Sequence, residues 1–171
     1  MLRGTVHKFG DDISTDLIIP GRFVHLRSNL PELAKHVLED ADPEFVKKVK
    51  PGDFVVGGSN FGLGSSREHA PIVIKMAGVS AVLAKSFARI FFRNAINIGL
   101  PVLVCDTDQI SESDTLEIDL SRGTVHDITN DTRLTFSPMP DIMIRILNEG
   151  GLVPYIQKHG DLVLGEASHE I

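Results

Sequence analysis

Three short apolar runs, DFVVGG (53–58), VSAVLA (79–84) and LPVLVC (100–105), are separated by two helix-like stretches, and no other feature of the chain constrains its fold as much. Each run has strand length and lacks polar alternation, as expected of strands covered on both faces. In the first interval Ala70, Val73, Ile74 and Ala77 fall at i, i+3, i+4 and i+7, one face of a helix that Gly78 ends. Pro71 restricts the residue before it, so the regular helix is predicted to begin at Pro71. In the second interval Ser86 is a predicted N-cap for FARIFFRNAIN (87–97), which Gly99 closes. Strand, helix, strand, helix, strand in this order is a parallel α/β unit with right-handed crossovers.

The flanking segments are simpler. RGTVHKF (3–9) alternates as a strand would, DDISTD is a loop, and LIIPGRF (17–23) is a short apolar piece ended at Pro20-Gly21. PELAKHVLED (31–40) predicts a helix, and DPEFVKKVKPGD (42–53) a shorter one closed by the Pro51-Gly52 turn. Past residue 106, TLEIDL, GTVHDI and TRLTF are alternating runs separated by SRG and TND, the pattern of an antiparallel flank. PDIMIRILNEGG (140–151) predicts one closing helix, and HGDLVLGEASHEI (159–171) a loosely held tail. A chain of 171 residues is expected to form one domain, 1–158, of α/β class. It has a parallel β/α core over about 53–105, a β-rich antiparallel flank and a C-terminal helix.

The run NFGLGSSREHAP (60–71) joins the first strand to the first helix of the core. Ser65-x-x-Glu68 fits a capping box, so a plain helix start is one reading. A phosphate loop is a poor one, because the Gly-Lys-Ser/Thr ending is missing. The third is an anion cradle, in which backbone N–H groups around Gly62 and Gly64 and the positive end of a helix meet in one small volume. There a substrate carboxylate or a serine alkoxide is stabilised, and Arg67 adds a two-point charged grip. A hydrolase elbow would need glycine at Arg67. His69 lies four residues after Ser65, but no carboxylate is placed to orient its ring, so it reads as a packed or capping histidine.

Net charge of −6 excludes a basic nucleic-acid surface. The opening MLRGTVHKFG lacks a signal-peptide core, and no run approaches the roughly 18 apolar residues of a membrane span, so a soluble cytoplasmic protein is expected. The one cysteine, Cys105, excludes an internal disulfide and any metal cluster held by this chain's thiolates alone, since such clusters take about three or four. Cys105 itself reads as a core residue at a strand end. Asp11, Asp12 and Asp16 lack calcium-loop spacing and read as loop caps, so no metal site is predicted on this chain. Arg89 and Arg93, four apart on one helix, form either a positive patch near the loop or structural ion pairs.

GSSREHAP, followed by AVLAKSFARIFFRNAINIGLP, resembles the swivelling domain of the aconitase superfamily. The opening GTVHKFGDDISTDLIIPGR is similar to the Asp-x-x-Thr-Asp-x-Ile-Ile-Pro loop of the separate small subunits of 3-isopropylmalate dehydratase (isopropylmalate isomerase) and homoaconitase. The likeness runs from about residue 3 to 157, with three motifs in order. It implies a lyase that moves a hydroxyl between neighbouring carbons of a hydroxy-di- or tricarboxylate by dehydration and rehydration. It also implies a cysteine-rich large subunit as partner, with a four-iron four-sulfur cluster on that subunit and no cofactor on this chain. The family's motif serine, the base, corresponds to Ser65, with Ser66 and Arg67 binding a substrate carboxylate. Arg27, in HLRSNLPEL (25–33), resembles the family's substrate-binding arginine. Isopropylmalate, and hence leucine biosynthesis, is the first expectation. Homoaconitate and aconitase-like or alkylmalate substrates are alternatives, as is a non-catalytic anion-binding module on the same fold.

Overall fold

The computed structural model describes residues 1–161 and is organised around one seven-stranded sheet in the order β4-β3-β2-β1-β5-β6-β7. The strands are β1 (Leu2–Lys8), β2 (Phe54–Val56), β3 (Ala81–Ala84), β4 (Val102–Val104), β5 (Thr115–Asp119), β6 (Thr124–Asp127) and β7 (Thr132–Thr135). The predicted parallel core is present, with β2 beside β3 and β3 beside β4. β1 joins the two halves: it runs parallel to β2 (Val6 opposite Phe54) and antiparallel to β5 (Leu2 opposite Ile118). The flank β5-β6-β7 is antiparallel throughout, as its alternation requires.

Consecutive residues of the parallel strands feed two cores, one on each face. Val55, Val82, Ala84 and Val102 pack on one side with Ile74, Phe91, Ile146 and Tyr155 from the helices. Phe54, Val56, Ala81, Leu83 and Leu103 pack on the other with Leu116, Ile118, Val125 and Leu134 from the flank. The sheet therefore curls so that its antiparallel strands cover the face the helices leave open. This double cover is why these runs read as apolar throughout. Cys105 lies in the second core, and burial, aided by nearby Asp106, pushes its thiol up to about 11.

The helices are α1 (Thr15–Ile18), α2 (Leu30–Ala34), α3 (Phe45–Lys48), α4 (His69–Met76), α5 (Arg89–Asn97), α6 (Asp141–Asn148) and α7 (Leu152–His159), with a 3-10 helix over Gly21–Ser28. Several local expectations are corrected. The helix predicted over 31–40 is only α2, because the chain turns beyond it: Leu38 takes a positive φ of 58°, and its N–H donates to the Ile18 carbonyl at 3.0 Å. α4 begins two residues before Pro71, which occupies the first turn, where its missing N–H leaves no helical bond unmade. The loop DDISTD runs into α1, where the Ser14 hydroxyl caps the Leu17 N–H. A second terminal helix, α7, follows α6, with Tyr155 buried and Gly160 in a left-handed conformation at its end. Of the tail expected over 159–171, residues 162–171 lie outside the described residues. No helix among the described residues is long and apolar enough to cross a membrane.

Candidate active site

β1, β2 and β3 point the same way, so the loops leaving their C-terminal ends share one edge of the sheet, the edge where open α/β sheets bind ligands. The loop after β2 lies between the other two. On one side Gly58 N–H donates to Gly10 O (2.9 Å), Asp12 N–H to Ser59 O (2.8 Å), Gly62 N–H to Ile13 O (2.7 Å) and Thr15 N–H to Leu63 O (2.8 Å). On the other, Phe61 N–H donates to Ser86 O (3.0 Å) and Ala88 N–H to Phe61 O (2.9 Å). Asp11 and Asp12 act as loop caps, accepting from Ser59 N–H (2.7 Å) and Asn60 Nδ2 (3.0 Å).

Neither hydroxyl read as a helix cap is one. α4 begins after Glu68 with no side-chain cap, which removes the Ser65 capping box. α5 begins after Ala88, while the Ser86 hydroxyl accepts from Asn60 N–H at 2.8 Å and holds the Ser65 loop. Two glycines allow the path of that loop. Gly62 has φ +81°, and a Cβ there would lie 2.2 Å from Phe91 Cγ. Gly64 has φ +109°, and a Cβ would lie 3.1 Å from Thr15 Oγ1. Both conformations disfavour any other residue.

The loop opens onto a cavity of about 310 Å³ lined by Ser65, Ser66, Arg67, His69, Arg27, Ile19, Val24 and Leu33. The structure thus brings together the four side chains singled out in the sequence, Ser65, Ser66, Arg67 and Arg27. Gly62 and Gly64 shape the loop without lining the cavity. Arg67 is the best anchored: Nη1 donates to Ile19 O at 2.7 Å, and Nη2 pairs with Asp16 Oδ1 at 2.8 Å. A guanidinium has five N–H donors, so three remain for an anion. Arg27 is exposed on the 3-10 helix and lines the same cavity as the serines, as does Val24 of that helix.

Ser65 Oγ lies 3.2 Å from Thr15 Oγ1. His69 lines the cavity, but among the described residues it makes no hydrogen bond to Ser65. Sequence reasoning missed Thr15, Ile19 and Leu33. The first two lie in the quoted Asp-x-x-Thr-Asp-x-Ile-Ile-Pro stretch, which was the only available signal. Arg89 and Arg93 line a separate apolar groove of about 690 Å³ between α5 and α6, and among the described residues neither forms the expected ion pair.

The arrangement can hold a carboxylate on Arg67 and Ser66, place an apolar substituent against Ile19, Val24 and Leu33, and present the Ser65 oxygen to the same cavity. Residues 25–107 match the family model of the Aconitase C-terminal domain. The chain is 65% identical over 159 residues to 3-isopropylmalate dehydratase small subunit 2 of Archaeoglobus fulgidus, covering 93% of this chain and 96% of that one. It is 59% identical over 161 residues to 3-isopropylmalate dehydratase small subunit 1 of Thermotoga maritima, covering 94% and 97%. A crystal structure of 3-isopropylmalate dehydratase from Methanocaldococcus jannaschii superposes with a TM-score of 0.89 at 46% identity, covering 93% of this chain and 95% of that one. With the aconitase-type fold, and with this identity over nearly its whole length, the chain belongs to the family of 3-isopropylmalate dehydratase small subunits.

Proposed function

We propose that this chain is the small subunit of a hydro-lyase that interconverts 2-isopropylmalate and 3-isopropylmalate by removing water and adding it back, and that it completes the active site of a large subunit. The observation that carries the reading is the convergence of Ser65, Ser66, Arg67 and Arg27 on one cavity also lined by Ile19, Val24, Leu33 and His69. A lining that combines two guanidinium groups and two serine hydroxyls with apolar side chains suits a dicarboxylate bearing an alkyl group.

Within that reading Arg67 and Ser66 grip a carboxylate and fix the substrate relative to Ser65. The Ser65 oxygen, as an anion, takes the proton from the carbon next to the one bearing the hydroxyl. The electron pair left behind forms the double bond as the hydroxyl departs. The double bond is then rehydrated with the positions exchanged: Ser65 gives its proton to the carbon that bore the hydroxyl and becomes an anion again, while hydroxide adds to the carbon that lost the proton. Cys105, the one thiol of the sequence, is buried in the second core, which supports reading any four-iron four-sulfur cluster as the large subunit's; held there, it would supply Lewis-acid polarisation of the hydroxyl. A tricarboxylate of the homoaconitate type is the second reading, favoured by the exposed Arg27 at the cavity rim.

The test is Ser65→Ala in the complex with the large subunit. A base acts mainly in the transition state, so kcat is expected to fall on the order of a hundredfold or more with KM nearly unchanged. A variant that keeps most of the wild-type kcat removes Ser65 from the chemistry.

A further inference from the structure

The wall beneath Ser65 holds a buried hydroxyl with a single use. Thr15 is 2% exposed and begins α1 behind the cap Ser14. Its amide donates to Leu63 O at 2.8 Å, and its carbonyl accepts from Ile19 N–H at 2.9 Å, so both backbone groups are occupied. Among the described residues its hydroxyl has one hydrogen-bond partner, Ser65 Oγ at 3.2 Å. Gly64 keeps this approach open, since a Cβ there would stand 3.1 Å from Thr15 Oγ1. Threonine also has few rotamers available, so the hydroxyl is aimed by its own Cβ branch as well as by the backbone bonds on either side.

We infer that Thr15 is the positioning residue of the Ser65 base, its hydroxyl donating a hydrogen bond to the Ser65 oxygen whenever that oxygen is an anion. This rests on reading Ser65 as the base. Between two neutral hydroxyls either oxygen can donate. Once Ser65 has lost its proton, its oxygen can only accept, and Thr15 must donate. A charge-assisted O–H···O⁻ bond is shorter and about twice as strong as a neutral one. It acts selectively on the charged form, from a donor already in place that needs no reorganisation as the charge appears. The proton lost by Ser65 on activation goes to solvent, and the proton taken from the substrate carbon restores the serine hydroxyl. Thr15 keeps its own proton throughout.

The experiment compares Thr15→Val, which replaces the hydroxyl by a methyl of similar size, with Thr15→Ser, which keeps the hydroxyl, alongside Ser65→Ala. All are measured as complexes with the large subunit on 3-isopropylmalate. Thr15→Val is expected to lower kcat by roughly ten- to a hundredfold with KM within about twofold, the range for a hydrogen bond to a charged group. Thr15→Ser is expected to restore kcat to within about threefold of wild type. The kinetic isotope effect for substrate deuterated at the carbon that loses its proton should rise or stay full in Thr15→Val, since that step is the one slowed. If Thr15→Val unfolds, Thr15→Ala removes the same hydroxyl without adding bulk, and the same outcomes decide. A hydroxyl-free variant with wild-type kcat, while Ser65→Ala is inactive, overturns the role of Thr15 alone. An active Ser65→Ala overturns the base itself and Thr15 with it. Equal losses in Thr15→Val and Thr15→Ser would assign Thr15 to packing and also overturn the inference.

Discussion

Replacing Arg67 by lysine keeps the charge and removes the geometry, so it tests whether the planar fork does the work. The guanidinium is held by the Ile19 carbonyl at 2.7 Å and the Asp16 carboxylate at 2.8 Å, and Arg67 lines the cavity. An ammonium can replace one of these anchors or reach a substrate oxygen, but it cannot do both in a plane. The Asp16 side chain is 70% exposed, so that pair contributes only about 0–1 kcal/mol. On the proposed reading the main loss is the charge-assisted grip on the substrate carboxylate, roughly 1.5–3 kcal/mol. Together these give about 1.5–4 kcal/mol, or roughly tenfold to several hundredfold in kcat/KM. Steady-state isomerisation of 3-isopropylmalate by the complex, with kcat and KM resolved, measures it. Asp16→Asn is the control and is expected to cost less than about threefold, because an exposed pair contributes little. Near-normal kcat and KM in Arg67→Lys would refute the two-point grip and make Arg67 a strut for the α1 turn.

Arg27→Val should retain or raise activity on the alkyl substrate, because it extends the apolar wall of Ile19, Val24 and Leu33, and should lower tricarboxylate activity about tenfold or more, about 1.4 kcal/mol. Parallel assays of both substrates decide, and equal losses would place Arg27 on the shared malate core instead. Gly62→Ala should destabilise the chain by about 3 kcal/mol or more, from a strained φ and a Cβ 2.2 Å from the buried Phe91 ring; an unchanged urea midpoint would refute this. Asp53 lies beneath β1 and accepts from His7 Nε2 (2.8 Å), Lys50 N–H (2.9 Å) and Thr5 N–H (3.1 Å). Burial pushes its carboxyl up, but the bonds from His7 and the two amides outweigh this and hold it below its ordinary value of 3.8. Its contribution to stability is therefore present above 3.8 and lost as pH falls through the depressed value, and urea titrations of Asp53→Asn should show a flatter acid limb than wild type.

Local periodicity was enough to place β2, α4, β3, α5 and β4, because an apolar run of strand length or an i, i+3, i+4 stripe is a property of neighbouring residues. The antiparallel flank was legible for the same reason, as were Ser65, Ser66, Arg67 and Arg27 through the motifs in which they stand. Other features depend on which segments meet. Ser65 and Ser86 both look like helix caps, yet one faces a cavity and the other holds a neighbouring loop, and only the packed structure distinguishes these uses. α7 passed unseen because three residues, Leu152, Tyr155 and Ile156, are too short a stripe to stand out beside two glycines. The largest tertiary decision is the place of β1. Sequence order allows it to lie anywhere in the sheet, but inserted parallel to β2 and antiparallel to β5 it carries its following loop to the same edge as the Ser65 loop. That pairing sets Thr15 and Ile19 against Ser65 and Arg67, and His7 against Asp53. Residues about 50 apart in the chain become partners because hydrogen bonding between parallel strands aligns their ends, a constraint that no local pattern records.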